Sequence, residues 1–334
     1  MKIIVPMAGM GKRLRPHTLT TPKPLLPIAG KPIVQRLVED IVAISDQKVE
    51  EIAYVVGRFG EAAEKHLIQV AESLGAKGTI HYQDEALGTA HAILCAASAL
   101  SGPVTVAFAD TLFKADFKLD TSKDGVLWVQ KIEDPRQFGV VIINEDGVIT
   151  EFKEKPQEYV SDLAMIGIYY FKDGENLKNE LQYLIDNKIM NSNEYQLPDA
   201  LRNMVNKGAK FTPGAVEDWM DCGNKEAMVD TNKKVLNYLG TDKLPIPSSA
   251  TIENSTIIHP CYIGENVKIS NSVIGPNASI GQGCMVNASI IKNSIVSADT
   301  KIDSANIDNS MIGTSASVKG SAQVLSLGDY SVIN

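Results

Sequence analysis

IGENVKISNSVIGPNASIGQGCMVNASIIKNSIV, Ile263–Val296, carries an aliphatic residue at every fifth or sixth position: Ile263, Ile269, Ile274, Ile280, Val286, Ile291 and Val296. The same step continues on both sides, through Ile252 and Ile258 before this stretch and Ile302, Ile307, Ile312, Val318 and Val324 after it. Glycine follows several of these residues, as in Ile274-Gly275 and Ile280-Gly281. Strands of a β-sandwich return only every ~8–12 residues. A step of five or six predicts a hexapeptide solenoid, a parallel β-helix in which each aliphatic stacks on its counterpart one coil away. Charged residues number ten among the 84 from Thr251 on, and aromatics two. Such a surface is poorly suited to stand alone in water. It predicts cover from the rest of the chain or from a second subunit, hence a homo-oligomer, with a role in assembly or stability.

Upstream the pattern changes. Residues 1–240 alternate strand-like and helix-like segments: strands at Lys2–Val5, Ile52–Val56, Thr79–Tyr82 and Val104–Ala109, and helices at Ile33–Ile44, Glu61–Leu74 and Ala90–Leu100. That alternation predicts an α/β domain with a mainly parallel sheet, whose ligands sit at the carboxyl ends of the strands. Val140–Ile143 and Val148–Phe152, joined through Asp146-Gly147, read as a hairpin. The Pro- and Ser-rich 241–249 reads as a linker, so the expected domains are 1–240 and 250–334.

The 334 residues suffice for two domains. A net charge of −8 argues against a nucleic-acid partner, and no apolar run reaches the ~18 residues of a membrane span. Cys95, Cys222, Cys261 and Cys284 fit neither a zinc site nor a disulfide framework. The start lacks the apolar core of a signal peptide, and a reducing cytoplasm is the expected compartment.

Two clusters carry the chemistry. Ala8-Gly9-Met10-Gly11-Lys12-Arg13 follows the first strand. Its glycines let backbone N–H groups approach phosphate oxygens, and Arg13 adds a fork of donors. The spacing is neither that of a Walker A loop nor that of a dinucleotide fingerprint. Lys23, between Pro22 and Pro24, sits on a stiff loop suited to meeting an anion.

The run G-x-G-x-R-L, then Pro22-Lys23-Pro24-Leu25-Leu26-Pro27 and Gly30-Lys31-Pro32, resembles the signature of the sugar-1-phosphate nucleotidylyltransferases. Further segments resemble that family in order: Gln83 to Ala92, Phe108-Ala109-Asp110, Phe138-Gly139-Val140, Phe152 to Pro156, and Trp219 to Gly223. With the solenoid, the whole is similar to long-form glucose-1-phosphate thymidylyltransferases, down to Leu327-Gly328-Asp329. The resemblance implies a Rossmann-like nucleotidyltransferase domain and a left-handed β-helix. It implies a nucleoside triphosphate, dTTP or UTP, and a sugar 1-phosphate, glucose 1-phosphate foremost, as substrates.

The resemblance also implies roles. Ala8, Gly9, Gly11, Gln83, Gly88 and Thr89 would line the nucleotide, with Gln83 reading the base. Arg13 would hold the departing pyrophosphate and Lys23 the α-phosphate region. Gly139, Glu154 and Lys155 would take the sugar phosphate, and Asp110 and Asp221 would hold Mg²⁺. The chain departs from the family at Lys12, where Thr is usual, at Ala109-Asp110-Thr111, where Gly-Asp-Asn is commoner, and at the apolar Leu163-Ala164-Met165-Ile166. Other readings are a uridylyltransferase for N-acetylglucosamine 1-phosphate or another sugar, a non-catalytic regulatory paralogue, and acetyl transfer in the solenoid, where His259 is the only histidine after His91.

Overall fold

The computed structural model describes residues 1–115, 118–240 and 244–320. They form two compact units: Met1–Leu26 with Lys31–Asn224, and Pro27–Gly30 with the chain from Lys225 on. The sequence reading draws its boundary at 240; the division places helix Lys225–Leu239 with the solenoid.

The first unit is built on strands β1 (Lys2–Pro6), β2 (Glu51–Val56), β3 (Lys77–Tyr82) and β4 (Val104–Ala107), which pair in parallel in the order β4-β1-β2-β3. Their near-continuous apolar runs, Ile3-Ile4-Val5 and Ile52 to Val56, are fully buried, as expected for strands covered on both faces. Helices α1 (Ile33–Ile44), α2 (Glu61–Ser73) and α3 (Thr89–Leu94) alternate with them. Helix α3 is shorter than the expected Ala90–Leu100: Ala96 leaves helical geometry, and a 3-10 turn Ala97–Ala99 follows.

A second, mainly antiparallel half joins at β4. Strands β6 (Gly125–Lys131), β7 (Gly139–Ile143), β8 (Ile149–Glu154), β9 (Leu163–Phe171) and β10 (Phe211–Ala215) complete a nine-stranded mixed sheet, with β9 pairing β4, β6 and β7. In this half only β10 runs parallel to its partner, β6. The β7–β8 hairpin turns where expected; Asn144 Oδ1 accepts from the amides of Asp146 and Val148, and Gly147 takes φ 74°. A separate ribbon pairs β5 (Thr111–Lys114) antiparallel with β11 (Asp218–Asp221). Helices α4 (Gly174–Asp186) and α5 (Leu197–Asn206) bury apolar faces on this half.

In the second unit, parallel strands stack into three sheets, an arrangement that fits a left-handed β-helix. One apolar row runs Ile252, Ile269, Val286, Ile302, Val318, and another Ile263, Ile280, Val296, Ile312. The third row begins at Ile257, not the expected Ile258; Ile257 pairs Ile274, whereas Ile258 is exposed. Corners at Asn254, Asn271, Asn277, Asn293 and Asn309 adopt positive φ, which Asn tolerates better than most residues. Within the stretch read as a linker, Leu244 is buried and Ser249 Oγ hydrogen-bonds Glu265. Val324 and Leu327-Gly328-Asp329 lie outside the described residues.

Helix α6 (Lys225–Leu239) packs in this unit through Asn232, which is fully buried. Its Oδ1 accepts from Ala29 N at 2.9 Å and Ser279 Oγ at 2.8 Å. Asn232→Leu strands both donors, while removing an Nδ2 that has no partner among the described residues. The expected net loss is about 1–3 kcal/mol, read as a lower urea midpoint. An unchanged midpoint would show that both donors find other acceptors.

Candidate active site

A cavity of about 550 Å³ opens at the carboxyl ends of β1 and β4, within the usual range for small-molecule sites. Ala8, Gly9, Gly11, Arg13, Lys23, Gln83, Gly88, Thr89 and Asp110 all line it. Gly139, Glu154, Lys155 and Asp221 stand outside that lining.

The glycine-rich loop is held by short-range order. Leu14 is buried and anchors a 3-10 turn over Lys12–Leu14, leaving Arg13 exposed. Gly11 sits at φ 58°, and a Cβ there would come within 2.9 Å of Lys23 Cβ, so its glycine makes room for the lysine stem. Pro22 caps, and Pro24 lies within, a second 3-10 turn, Lys23–Leu25, which directs Lys23 inward. Its side chain is only 10% exposed, and Nζ meets Asp110 Oδ2 at 3.0 Å. A lysine so buried needs an anion; a phosphate can share or replace the carboxylate.

The two aspartates meet because the β5–β11 ribbon brings them to one end. Thr111 pairs with Asp221 in register, and Cys222 N donates to Asp110 O at 3.0 Å. Burial, then the charge of Asp110, raises the Asp221 carboxyl above its ordinary value, against the pull of Lys23 and Arg13. Gly223 lines the cavity, and a Cβ there would lie 3.0 Å from Asp221 Oδ2 and 3.1 Å from Arg13 Nη2. Two carboxylates brought to one end of a ribbon beside Lys23 and Arg13 are a donor set that suits a divalent cation, whose remaining ligands would be phosphate oxygens and water. Among the described residues no set of three or more His, Cys, Asp or Glu could hold a metal by protein ligands alone.

Gly139, Glu154 and Lys155, expected at the sugar phosphate, form their own cluster. Gly139 pairs with Glu154 across the β7–β8 hairpin, and a Cβ on Gly139 would come within 2.8 Å of Glu154 Oε2 and 2.6 Å of Met165 Cε. Lys155 turns outward at φ 44°, with Nζ 3.6 Å from Glu154 Oε1. Burial, then Glu154 and Asp110, raises the phenol of the buried Tyr169. Tyr169 packs edge-on against Phe108, which lines the cavity, with ring centroids 6.3 Å apart.

Gly88 takes φ 105° and has no space for a side chain: a Cβ would stand 2.5 Å from Tyr195 O and 2.9 Å from Glu194 Cβ. Glu194 and Phe108 also line the cavity. The sequence reading gave Glu194 no role, and its signal is the turn-forming Asn191-Ser192-Asn193 before it, where Ser192 and Asn193 take positive φ.

Residues 2–238 match the nucleotidyl transferase family, and the chain belongs to it. It is a sugar-phosphate nucleotidyltransferase, a transferase of the EC 2.7.7 type. The chain is 29% identical to a glucose-1-phosphate thymidylyltransferase of Streptomyces antibioticus, over 100% of this chain and 99% of the relative. It is 31% identical to the catalytic subunit beta of a Drosophila pseudoobscura pseudoobscura mannose-1-phosphate guanylyltransferase, over 85% and 72%. The solved nucleoside-diphosphate-sugar pyrophosphorylase of Vibrio cholerae RC9 shares the fold at a TM-score of 0.60 and 20% identity, covering 69% of this chain and 99% of that one. No helix among the described residues is long and apolar enough to cross a membrane.

Proposed function

We propose that the protein transfers a nucleotidyl group from dTTP or UTP to glucose 1-phosphate, releasing pyrophosphate. The observation that carries this reading is a single cavity lined both by Gly9 to Arg13 with Lys23 and Asp110, the groups suited to phosphates, and by Gln83, Gly88 and Thr89, the groups suited to a base. Similarity over the full chain to a thymidylyltransferase supports the pyrimidine.

The nucleophile is a phosphate oxygen of the sugar phosphate, mostly ionised at pH 7 because its second pKa is about 6. No general base is required. The task is to bring polyanions together and align attack on the α-phosphorus opposite the leaving group. Mg²⁺, held by Asp110 and Asp221, would supply positive charge to the reacting phosphates. Arg13 grips the departing pyrophosphate with its donor fork. Lys23, turned inward by its prolines, shares its charge between Asp110 and the α-phosphate. Glu154 accepts from sugar hydroxyls, Gly139 lets the ring lie against backbone, and Lys155 meets the sugar's phosphate.

The test is a panel of dTTP, UTP, GTP, CTP and ATP with several sugar 1-phosphates, read by pyrophosphate release with and without Mg²⁺. The expected result is Mg²⁺-dependent turnover of glucose 1-phosphate with dTTP or UTP. Turnover with GTP alone would overturn the base assignment, and turnover with another sugar alone would overturn the sugar. A homo-oligomer belongs to this reading, and light scattering on the same preparation measures it.

A further inference from the structure

We propose that His91 is a positioning residue for base selection. Its Nδ1 fixes the Gln83 amide with both donors turned inward, so that Gln83 offers the base only an acceptor. The site then takes bases carrying a ring N–H (uracil, thymine or guanine) over bases whose pairing nitrogen is bare (cytosine or adenine). This deepens the reading above and rests on it.

Gln83 directly follows β3, with its backbone N tied to Val56 O at 2.9 Å. Its Nε2 donates to Gly88 O at 3.2 Å and to His91 Nδ1 at 3.1 Å. An amide nitrogen has two hydrogens, and both are used. The imidazole must therefore present a bare Nδ1 and carry its proton on Nε2, which points toward Cys95 Sγ at 4.0 Å, a weak acceptor. The reversed amide would set Oε1 against the Gly88 carbonyl oxygen, two acceptors face to face. Burial lowers the proton affinity of His91, against the pull of Glu85, and so favours the neutral ring that this arrangement needs.

The backbone partners are fixed as well. Gly88 opens α3, Ala92 N donates to Gly88 O at 3.0 Å, and His91 lies one turn into the same helix. With the donors committed, Oε1 is the group that Gln83, which lines the cavity, can extend to a ligand. The N3–H of uracil or thymine donates to it. The bare N3 of cytosine would face it lone pair to lone pair, and a buried unpaired acceptor is where discrimination arises.

The test compares dissociation constants for UTP and CTP by calorimetry in the parent, His91→Leu and His91→Asn. Leu removes the Nδ1 acceptor; Asn can restore one at that position through Oδ1. The UTP-over-CTP preference should fall about tenfold in His91→Leu and recover most of its value in His91→Asn. Independently, ¹⁵N shifts of the histidine ring in the parent should show the neutral form protonated at Nε2, and this measurement stands even if His91→Leu fails to fold. A ring protonated at Nδ1, or an unchanged preference in His91→Leu, would overturn the positioning role and leave the proposed reaction intact. A parent that neither binds nor turns over UTP or dTTP would overturn the proposed reaction instead, while the tautomer measurement still decides His91.

Discussion

Asp110→Asn lowers pyrophosphate release at least about 100-fold and leaves the fold in place. Asparagine keeps the volume of the side chain and an oxygen that can accept the hydrogen bond Lys23 Nζ now makes at 3.0 Å. The nearly buried lysine therefore keeps a partner, and thermal unfolding should shift little. The negative charge is lost. Asp110 is 50% exposed in its side chain, facing the cavity beside Lys23 and sharing the end of a ribbon with Asp221. A cation held between two carboxylates and a phosphate then has one anionic ligand from the protein. The measurement is single-turnover pyrophosphate release across a Mg²⁺ titration. A near-normal rate with normal Mg²⁺ dependence would remove Asp110 from the metal site. Asp221→Asn should behave in the same way.

Gly88→Ala weakens nucleotide binding by about two orders of magnitude and lowers the melting temperature. Its φ of 105° lies in a region that L-residues rarely adopt, a strain of order 1–3 kcal/mol. Its Cβ would also meet Tyr195 O at 2.5 Å and Tyr195 N at 2.8 Å. Those two atoms are hydrogen-bonded, Tyr195 N to Leu87 O at 2.8 Å and Ala90 N to Tyr195 O at 2.9 Å. Relief of the clash must pull the 87–90 loop from the 194–195 segment and break both bonds. The same movement displaces the Gly88 carbonyl that holds Gln83. Calorimetric titration with UTP and a thermal scan read the two effects, and an unchanged affinity would place the base away from this loop.

The parts of the fold that could be read were those whose side-chain period matches their backbone. Ile3-Ile4-Val5 and Ile52 to Val56 are continuous apolar runs buried on both faces, and the solenoid repeats one register from coil to coil. Gly125–Lys131 and Leu163–Phe171 were not assigned, although both are equally apolar. Their partners lie far along the chain, antiparallel between the two and parallel at Phe211–Ala215, with a register shift between Met165 and Tyr169. Local pattern carries no information about such pairing. The one-residue displacement between Ile257 and Ile258 has the same origin: two isoleucines in sequence, of which only the pleat decides which points inward.

At the site, Ala8 to Arg13, Gln83, Gly88, Thr89 and Asp110 line one cavity because their motifs follow the ends of β1, β3 and β4, and Lys23 joins them from a 3-10 turn. Gly139, Glu154 and Lys155 ride on a hairpin instead, and their distance from the cavity depends on how β7 and β8 curve, which no motif encodes. Phe108 enters the sequence reading only within its motif, and Glu194 has no role there, since only the turn at Asn191-Ser192-Asn193 marks it.

The corner residues of the second unit give the chain an unusual relation to its own length. Left-handed corners recur at Asn254 and Asn271, then at Ala288 and Ser304, and another series runs Asn277, Asn293, Asn309. Coil stacks on coil through the same rows of aliphatic side chains, while Ser279 and Asn277 also hold helix α6. Excising or duplicating one whole coil away from α6 would return the remaining coils to equivalent neighbours, so the unit can lengthen or shorten in steps of a full turn. A change of one residue is absorbed only at a corner: Ile252, Ile269 and Val286 stand 17 residues apart, Val286, Ile302 and Val318 16, and all stay in one row; inside a strand the same loss would turn the aliphatics that follow in that strand outward.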